Sequence, residues 1–138
     1  MEITQLVQNI LRHKSILIID DEDKIREILS KYLKRSSCEA DNIVHATEGS
    51  EAIRKIMNQD FDFIIIDIVL PKKNGLEVFQ EIRRHARTKN TPVLLMSGNL
   101  QSQVVKKAII MGAKHILAKP FNYVIFMEKV FRCLELKS

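Results

Sequence analysis

Short unbroken apolar runs alternate along this chain with longer stretches in which apolar residues recur every three or four positions. The runs end on chemistry: Ser15–Ile19 leads into Asp20-Asp21, Phe61–Ile66 into Asp67, Pro92–Met96 into Ser97, and His115–Ala118 into Lys119. Such runs predict strands of a parallel sheet covered on both faces. The periodic stretches predict helices. The first carries Ile25, Ile28, Leu29, Tyr32 and Leu33 after Asp23 as N-cap. A short strand near Ile43–Ala46 precedes a second helix with Ala52, Ile53, Ile56 and Met57. The third starts at about Gly75, after the Pro71–Gly75 loop, with Phe79, Ile82 and Ala86 on one side. The fourth runs from about Gln101 to Met111 and stops at Gly112. The fifth begins after Asn122, with Phe126, Met127, Val130 and Leu134 inward. Val124 and Phe131 then fall on another face, with no obvious partner inside the molecule.

Repeated strand–helix units over residues 14–136 predict a doubly wound α/β fold with right-handed crossovers. In that architecture all strand carboxyl ends share one edge, and ligands bind in the crevice outside it. Asp20, Asp21, Asp67, Ser97 and Lys119 therefore converge. Three crowded carboxylates repel one another, a cost that a hard divalent cation removes. Mg²⁺ suits carboxylate and carbonyl oxygens and keeps waters for a phosphoryl ligand. Lys119 and Ser97 would complete a site for a phosphoryl group held on a carboxylate.

Composition narrows the partners. At 138 residues the chain fits one domain with a real core, plus an amphipathic helical extension over residues 1–13 (Ile3, Leu6, Val7, Ile10, Leu11). No apolar stretch approaches the ~20 residues of a membrane span, and no secretory signal opens the chain. Cys38 and Cys133 are too few for a disulfide framework or zinc site, in keeping with free thiols in a cytoplasmic protein. The net charge of +5 raises nucleic-acid binding. Its basic groups are scattered, however, over Lys34-Arg35, Lys72-Lys73, residues 83–87 and Lys106-Lys107, which argues against a nucleic-acid stripe.

Four segments carry a family resemblance: Ile16–Asp23 (ILIIDDED), Ile64–Gly75 (IIIDIVLPKKNG), Leu94–Gly98 (LLMSG) and Gly112–Phe121 (GAKHILAKPF). Together they resemble the receiver domain of two-component response regulators, over about residues 14–136. The resemblance implies a flavodoxin-like fold of parallel sheet order 2-1-3-4-5. It implies Asp67 as phospho-acceptor, with Mg²⁺ held by Asp21, Asp67 and the Val69 backbone carbonyl and, through a water, by Asp20. Lys119 and Ser97 would bind the phosphoryl oxygens. Lys119-Pro120 would be a cis peptide aiming the lysine inward. Glu22 and Asp23 read as caps rather than ligands.

The chain departs from the family at Ile116, where a Tyr or Phe often swings as the switch is thrown. Val69 and Asn99 stand where the family tunes water access to the acyl phosphate. The resemblance implies a stand-alone receiver, phosphorylated by a sensor histidine kinase or histidine phosphotransfer protein and acting on a downstream protein target or as a homodimer. An aspartate-nucleophile phosphatase would need an acid where Val69 stands, so turnover of free substrates is not expected. The alternative is a receiver-like interaction module that works without phosphorylation. The expected output surface is the fourth helix, fifth strand and fifth helix, including Val124 and Phe131. Residues 1–13 would cover it either within one molecule or between two.

Overall fold

Every strand-like run forms a strand, and the chain order alternates without interruption. The structure is a computed structural model that describes residues 11–36, 39 and 42–135. Its elements are β1 (Ile16–Ile19), α1 (Asp23–Arg35), β2 (Ile43–Ala46), α2 (Gly49–Asn58), β3 (Phe63–Asp67), α3 (Gly75–Arg84), β4 (Val93–Ser97), α4 (Gln103–Ile110), β5 (Ile116–Ala118) and α5 (Tyr123–Glu135). The five strands are parallel, in the order β2-β1-β3-β4-β5. This is the flavodoxin-like order, with a switch point between β1 and β3.

Side chains alternate across the sheet and split the core into two layers. Ile16, Ile18, Phe63, Ile65, Leu94 and Met96 face α1 and α5, meeting Leu29, Leu33, Phe126 and Val130. Leu17, Ile19, Ile64, Ile66 and Leu95 face the other way, against Ala52, Ile56, Phe79, Ile82, Val105 and Ala108. Strands β1, β3 and β4 are buried along their whole length, which explains why their sequences show runs rather than alternation. Each fully buried Leu, Ile or Phe contributes roughly 1.5–3 kcal/mol relative to an exposed one.

The helix ends differ in detail from the sequence expectation. The N-cap of α1 is Glu22, one residue before Asp23, and no side chain caps it. Helix α3 stops at Arg84, which leaves Ala86 exposed beyond it. The shorter α4 begins after Ser102, whose hydroxyl accepts from the Val105 N–H, rather than at about Gln101. At its far end, Gly112 adopts φ +100°. The Gly112 and Ala113 N–H groups donate back to the carbonyls of Ile109 and Ala108, closing a Schellman turn. Ile28 and Met57, expected on core stripes, are 39% and 41% exposed.

Two further findings concern segments assigned only by pattern. Leu11 is fully buried in the α1/α5 layer, so the end of the N-terminal extension packs within the molecule. The remainder of the 1–13 helix lies outside the described residues, as does Cys38. The basic segment after α3 is structural: Arg87 pairs with Asp60 and donates to the Ile56 carbonyl, tying this segment to the end of α2. Among the described residues, no helix is long and apolar enough to cross a membrane.

Candidate functional site

The carboxyl edge of the sheet gathers the acids as the topology requires. Asp20 follows β1 directly, and Asp67 is the last residue of the neighbouring β3. Asp20 is fully buried and Asp67 only 5% exposed, whereas Asp21 and Glu22 face solvent. One carboxylate oxygen from each of Asp20, Asp21, Glu22 and Asp67 lies within 4.8 Å of the other three. Lys119 reaches in from the end of β5. Its Nζ donates to Asp67 Oδ2 at 2.6 Å and to Asp20 Oδ2 at 3.1 Å, with Glu22 Oε1 at 3.8 Å.

Backbone groups orient the two buried acids. Asp20 Oδ1 accepts from the Glu22 N–H at 2.8 Å, and Asp67 Oδ1 accepts from the Val69 N–H at 2.9 Å. Each acid therefore holds the loop two residues ahead of it. The Asp20 carbonyl accepts from Arg26 Nη1 at 2.6 Å, which ties the first turn of α1 to the same corner. Gly75 is fixed by close approach: a Cβ there would lie 2.2 Å from the Asp67 carbonyl oxygen. Gly49 stands in the same relation to Lys73, whose carbonyl would be 2.5 Å from an added Cβ. These two glycines let α2 and α3 press on the loop that follows Asp67.

Electrostatics set the chemistry. Burial, reinforced by the charge of Asp67, raises the Asp20 pKa to about 6 against the opposing pull of the Glu22 N–H and Lys119. Burial acts against the Lys119 ammonium, but its bonds to Asp67 and Asp20 outweigh that and raise its pKa. Four clustered carboxylates carry more negative charge than one lysine balances. Hard oxygen donors in this excess fit Mg²⁺.

The other sequence-predicted residues divide. Ser97 ends β4, and its carbonyl accepts from the Lys119 N–H at 2.9 Å, so strand pairing locks these two residues side by side. The Ser97 hydroxyl is turned to its own loop: it donates to the Asn99 carbonyl and accepts from the Asn99 N–H, each at 3.0 Å. Lys119-Pro120 is cis, in agreement with expectation. Ile116 pairs with Leu95 and is half-buried against the α4 side of the core. Val124 is 62% exposed. Phe131, by contrast, packs partly buried against the α1/α5 core. The expectation that it has no internal partner is corrected. Exposed apolar side chains on these helices are instead Ile109 and Ile110 of α4 and Val124 and Ile125 of α5.

Sequence reading missed three contributors. Glu22 joins the acidic cluster although its backbone serves as a cap, a dual use that only its adjacency to Asp20-Asp21 signalled. Arg26 left no distinct signal, since a cation on an exposed helical face is ordinary. The crowding at Gly75 was hidden behind its role as loop punctuation.

Comparison with known proteins agrees with this geometry. The chemotaxis response regulator CheY4 of Vibrio cholerae superposes with a TM-score of 0.78 at 29% identity, covering 86% of this chain and 97% of that one. The response regulator TrrA of Thermotoga maritima, solved in complex with Mg²⁺-BeF, gives 0.74 at 34% identity, covering 88% of this chain and 100% of that one. The transcriptional regulatory protein SrrA of Staphylococcus aureus is 35% identical over 107 residues, 78% of this chain and 42% of that protein. The chain thus spans about two-fifths of the length of the curated relatives it matches. The family model for the response regulator receiver domain matches residues 16–131, and the chain belongs to that family.

Proposed function

We propose that Asp67 accepts a phosphoryl group from a phosphohistidine on a sensor kinase or phosphotransfer protein, and that the phosphorylated chain signals through protein–protein contact. The observation that carries this reading is the bridge of Lys119 between Asp20 and Asp67 within a cluster of four carboxylates. Asp67, Asp21 and the Val69 carbonyl would hold Mg²⁺ directly, and Asp20 through a water. Bound there, the ion would neutralise charge on the acids and the incoming phosphoryl oxygens.

In the transfer, a carboxylate oxygen of Asp67 forms a bond to phosphorus as the donor's N–P bond breaks and its imidazole takes up a proton. Lys119 already contacts the reacting carboxylate, so its ammonium can follow the charge onto the phosphoryl oxygens. Ser97 must leave Asn99 to donate to the same group. Hydrolysis of the acyl phosphate then resets the site. The output surface lies around β5, on α4 and α5, where Ile109, Ile110, Val124 and Ile125 are exposed. A cytoplasmic location follows from a kinase-linked role.

Incubation with Mg²⁺ and acetyl phosphate, followed by intact mass measurement, tests the reading. One added phosphoryl group is expected, lost in Asp67→Asn and in the presence of EDTA. Equal labelling of Asp67→Asn would remove Asp67 from the reaction. Absence of labelling from any donor would favour the phosphorylation-independent module, for which the turned-away Ser97 and the aliphatic Ile116 speak.

A further inference from the structure

A second polar cavity lies at the opposite edge of the sheet. It occupies about 430 Å³ where β4 and β5 begin, between the end of α3, the turn after α4 and the end of α5. The five residues of β4 separate it from the acidic edge, roughly 13 Å at about 3.3 Å per residue. Arg83, Lys89, Lys114 and His115 line it, with Val93 and Cys133 among its apolar residues, and no carboxylate is among the described lining residues. The cavity is within the size range of small-molecule sites.

Among the described residues, the acids nearest this cavity are engaged elsewhere. Glu81, the acid on the last turns of α3, is engaged by Arg84 and His85, and Asp60 by Arg87. Arg83 is held in place by its stacking over Phe79 and by its bond to the Thr91 carbonyl at 2.8 Å. Burial, then Lys129, Lys114 and Arg132 in turn, hold the His115 imidazole below its ordinary pKa, which reports cations converging on this end of β5 from α5 as well. Fixed positive charge around a concave space favours a multivalent anion, and lysine ammonium groups at its rim supply mobile point charges.

We propose that this cavity binds a small multivalent oxyanion, bearing phosphate or carboxylate groups, held by Lys89 and Lys114 with Arg83 and His115 behind them. The site is separate from the acidic edge and does not depend on phosphorylation there.

Calorimetric titration of the full chain with pyrophosphate and, separately, with citrate tests this, with protein and buffer first stripped of divalent metal over a chelating resin so that no metal carries the anion to Asp67 and no soluble chelator competes for the cavity. Saturable one-to-one binding of either anion is expected, and the stronger of the two identifies the oxyanion chemistry. Lys89→Glu/Lys114→Glu should weaken it by about tenfold or more. Both lysines are exposed, so the variant keeps its fold, and circular dichroism checks this. Lys106→Glu/Lys107→Glu makes the same change in net charge on exposed positions of α4 outside the cavity lining, and should leave affinity within about twofold. Equal weakening by the two pairs would reduce the effect to diffuse charge and overturn the site. Binding of neither anion, or binding only of duplex DNA, would overturn it as well.

Discussion

Replacing Asp20 by Asn should stabilise the metal-free fold while weakening its response to Mg²⁺. Asp20 is completely buried, and its pKa of about 6 stands roughly two units above the ordinary 3.8. At about 1.4 kcal/mol per unit, holding it ionised at pH 7 costs up to about 3 kcal/mol. The amide keeps an oxygen for the Glu22 N–H but loses the charge-assisted bond with Lys119. The pull of Lys119 is already contained in that pKa, so the net stabilisation is up to about 3 kcal/mol, or roughly 10 °C in Tm for a chain of this size.

Urea unfolding in EDTA at pH 7 measures the difference directly. The sign follows from linkage. A carboxyl whose folded pKa is raised binds more protons folded than unfolded between pH 4 and 6, so wild-type stability falls as pH rises through that window. The advantage of Asp20→Asn should therefore be full above about pH 6 and vanish near pH 4. Added Mg²⁺ should raise the midpoint of the wild type by more than that of the variant, which keeps Asp21, Asp67 and the Val69 carbonyl. A variant less stable than wild type at pH 7 in EDTA, or an advantage independent of pH, would refute the argument that burial makes the ionised Asp20 costly.

Other substitutions probe separate parts of the structure. Leu11→Ala should cost about 2–4 kcal/mol in urea unfolding, since Leu11 is fully buried in the α1/α5 layer; a cost typical of a surface site would show that the extension does not dock there. Gly75→Ala should lower both stability and the rate of labelling by acetyl phosphate, because its Cβ would press on the Asp67 carbonyl, whereas Gly98→Ala, with open space around it, should leave stability nearly unchanged. His45 is depressed by burial first and by Arg26, Lys55 and Lys34 after it, and its Nδ1 is buried without a hydrogen-bond partner. The unfolded chain therefore takes up a proton that the native one resists, so the contribution of this residue lowers stability as pH drops below about 6.5, opposing that of Asp20; the advantage of His45→Asn over the wild type in urea midpoints should therefore grow from pH 8 to pH 5.

The fold was legible because its strongest signal is also its strongest force. Strands buried on both faces must be written as unbroken apolar runs, and β1, β3 and β4 are so written. The acids and Lys119 were legible for a related reason: a charged group at the end of such a run has one edge of the sheet to occupy. Helix faces were less legible. The 3.6-residue period assigns a stripe but not its width. On α5 the buried face is broad enough to take in Phe131, and at Ile28 and Met57 the covered stripe is narrower than the pattern. Contacts that depend on where a loop closes left almost no trace. The bond from Arg26 to the Asp20 carbonyl and the crowding at Gly75 join residues whose types are common on any helix or turn.

The same burial pattern bears on how a charge change at Asp67 could reach the surface. Asp20 and Asp67 extend the fully buried β1 and β3, whose displacement would disturb both core layers at once. The edge strand β5 is only three residues long, half-buried at Ile116 and exposed at Ala118. Moving it disturbs far less packing, and interiors as dense as proteins' transmit strain toward whatever yields. Lys119 and Ser97 connect the two regimes: Lys119 holds the acids through its side chain, while its N–H is paired with the Ser97 carbonyl. A phosphoryl group adding roughly −1.5 to −2 charges would draw on both residues together. The response would then fall on β5 and the loop to α4, where the Ser97–Asn99 bonds are short-range and replaceable. An aromatic ring at position 116 is not required for that movement. Ile116 already packs against the α4 side of the core, so a shift of β5 or α4 changes its contacts directly.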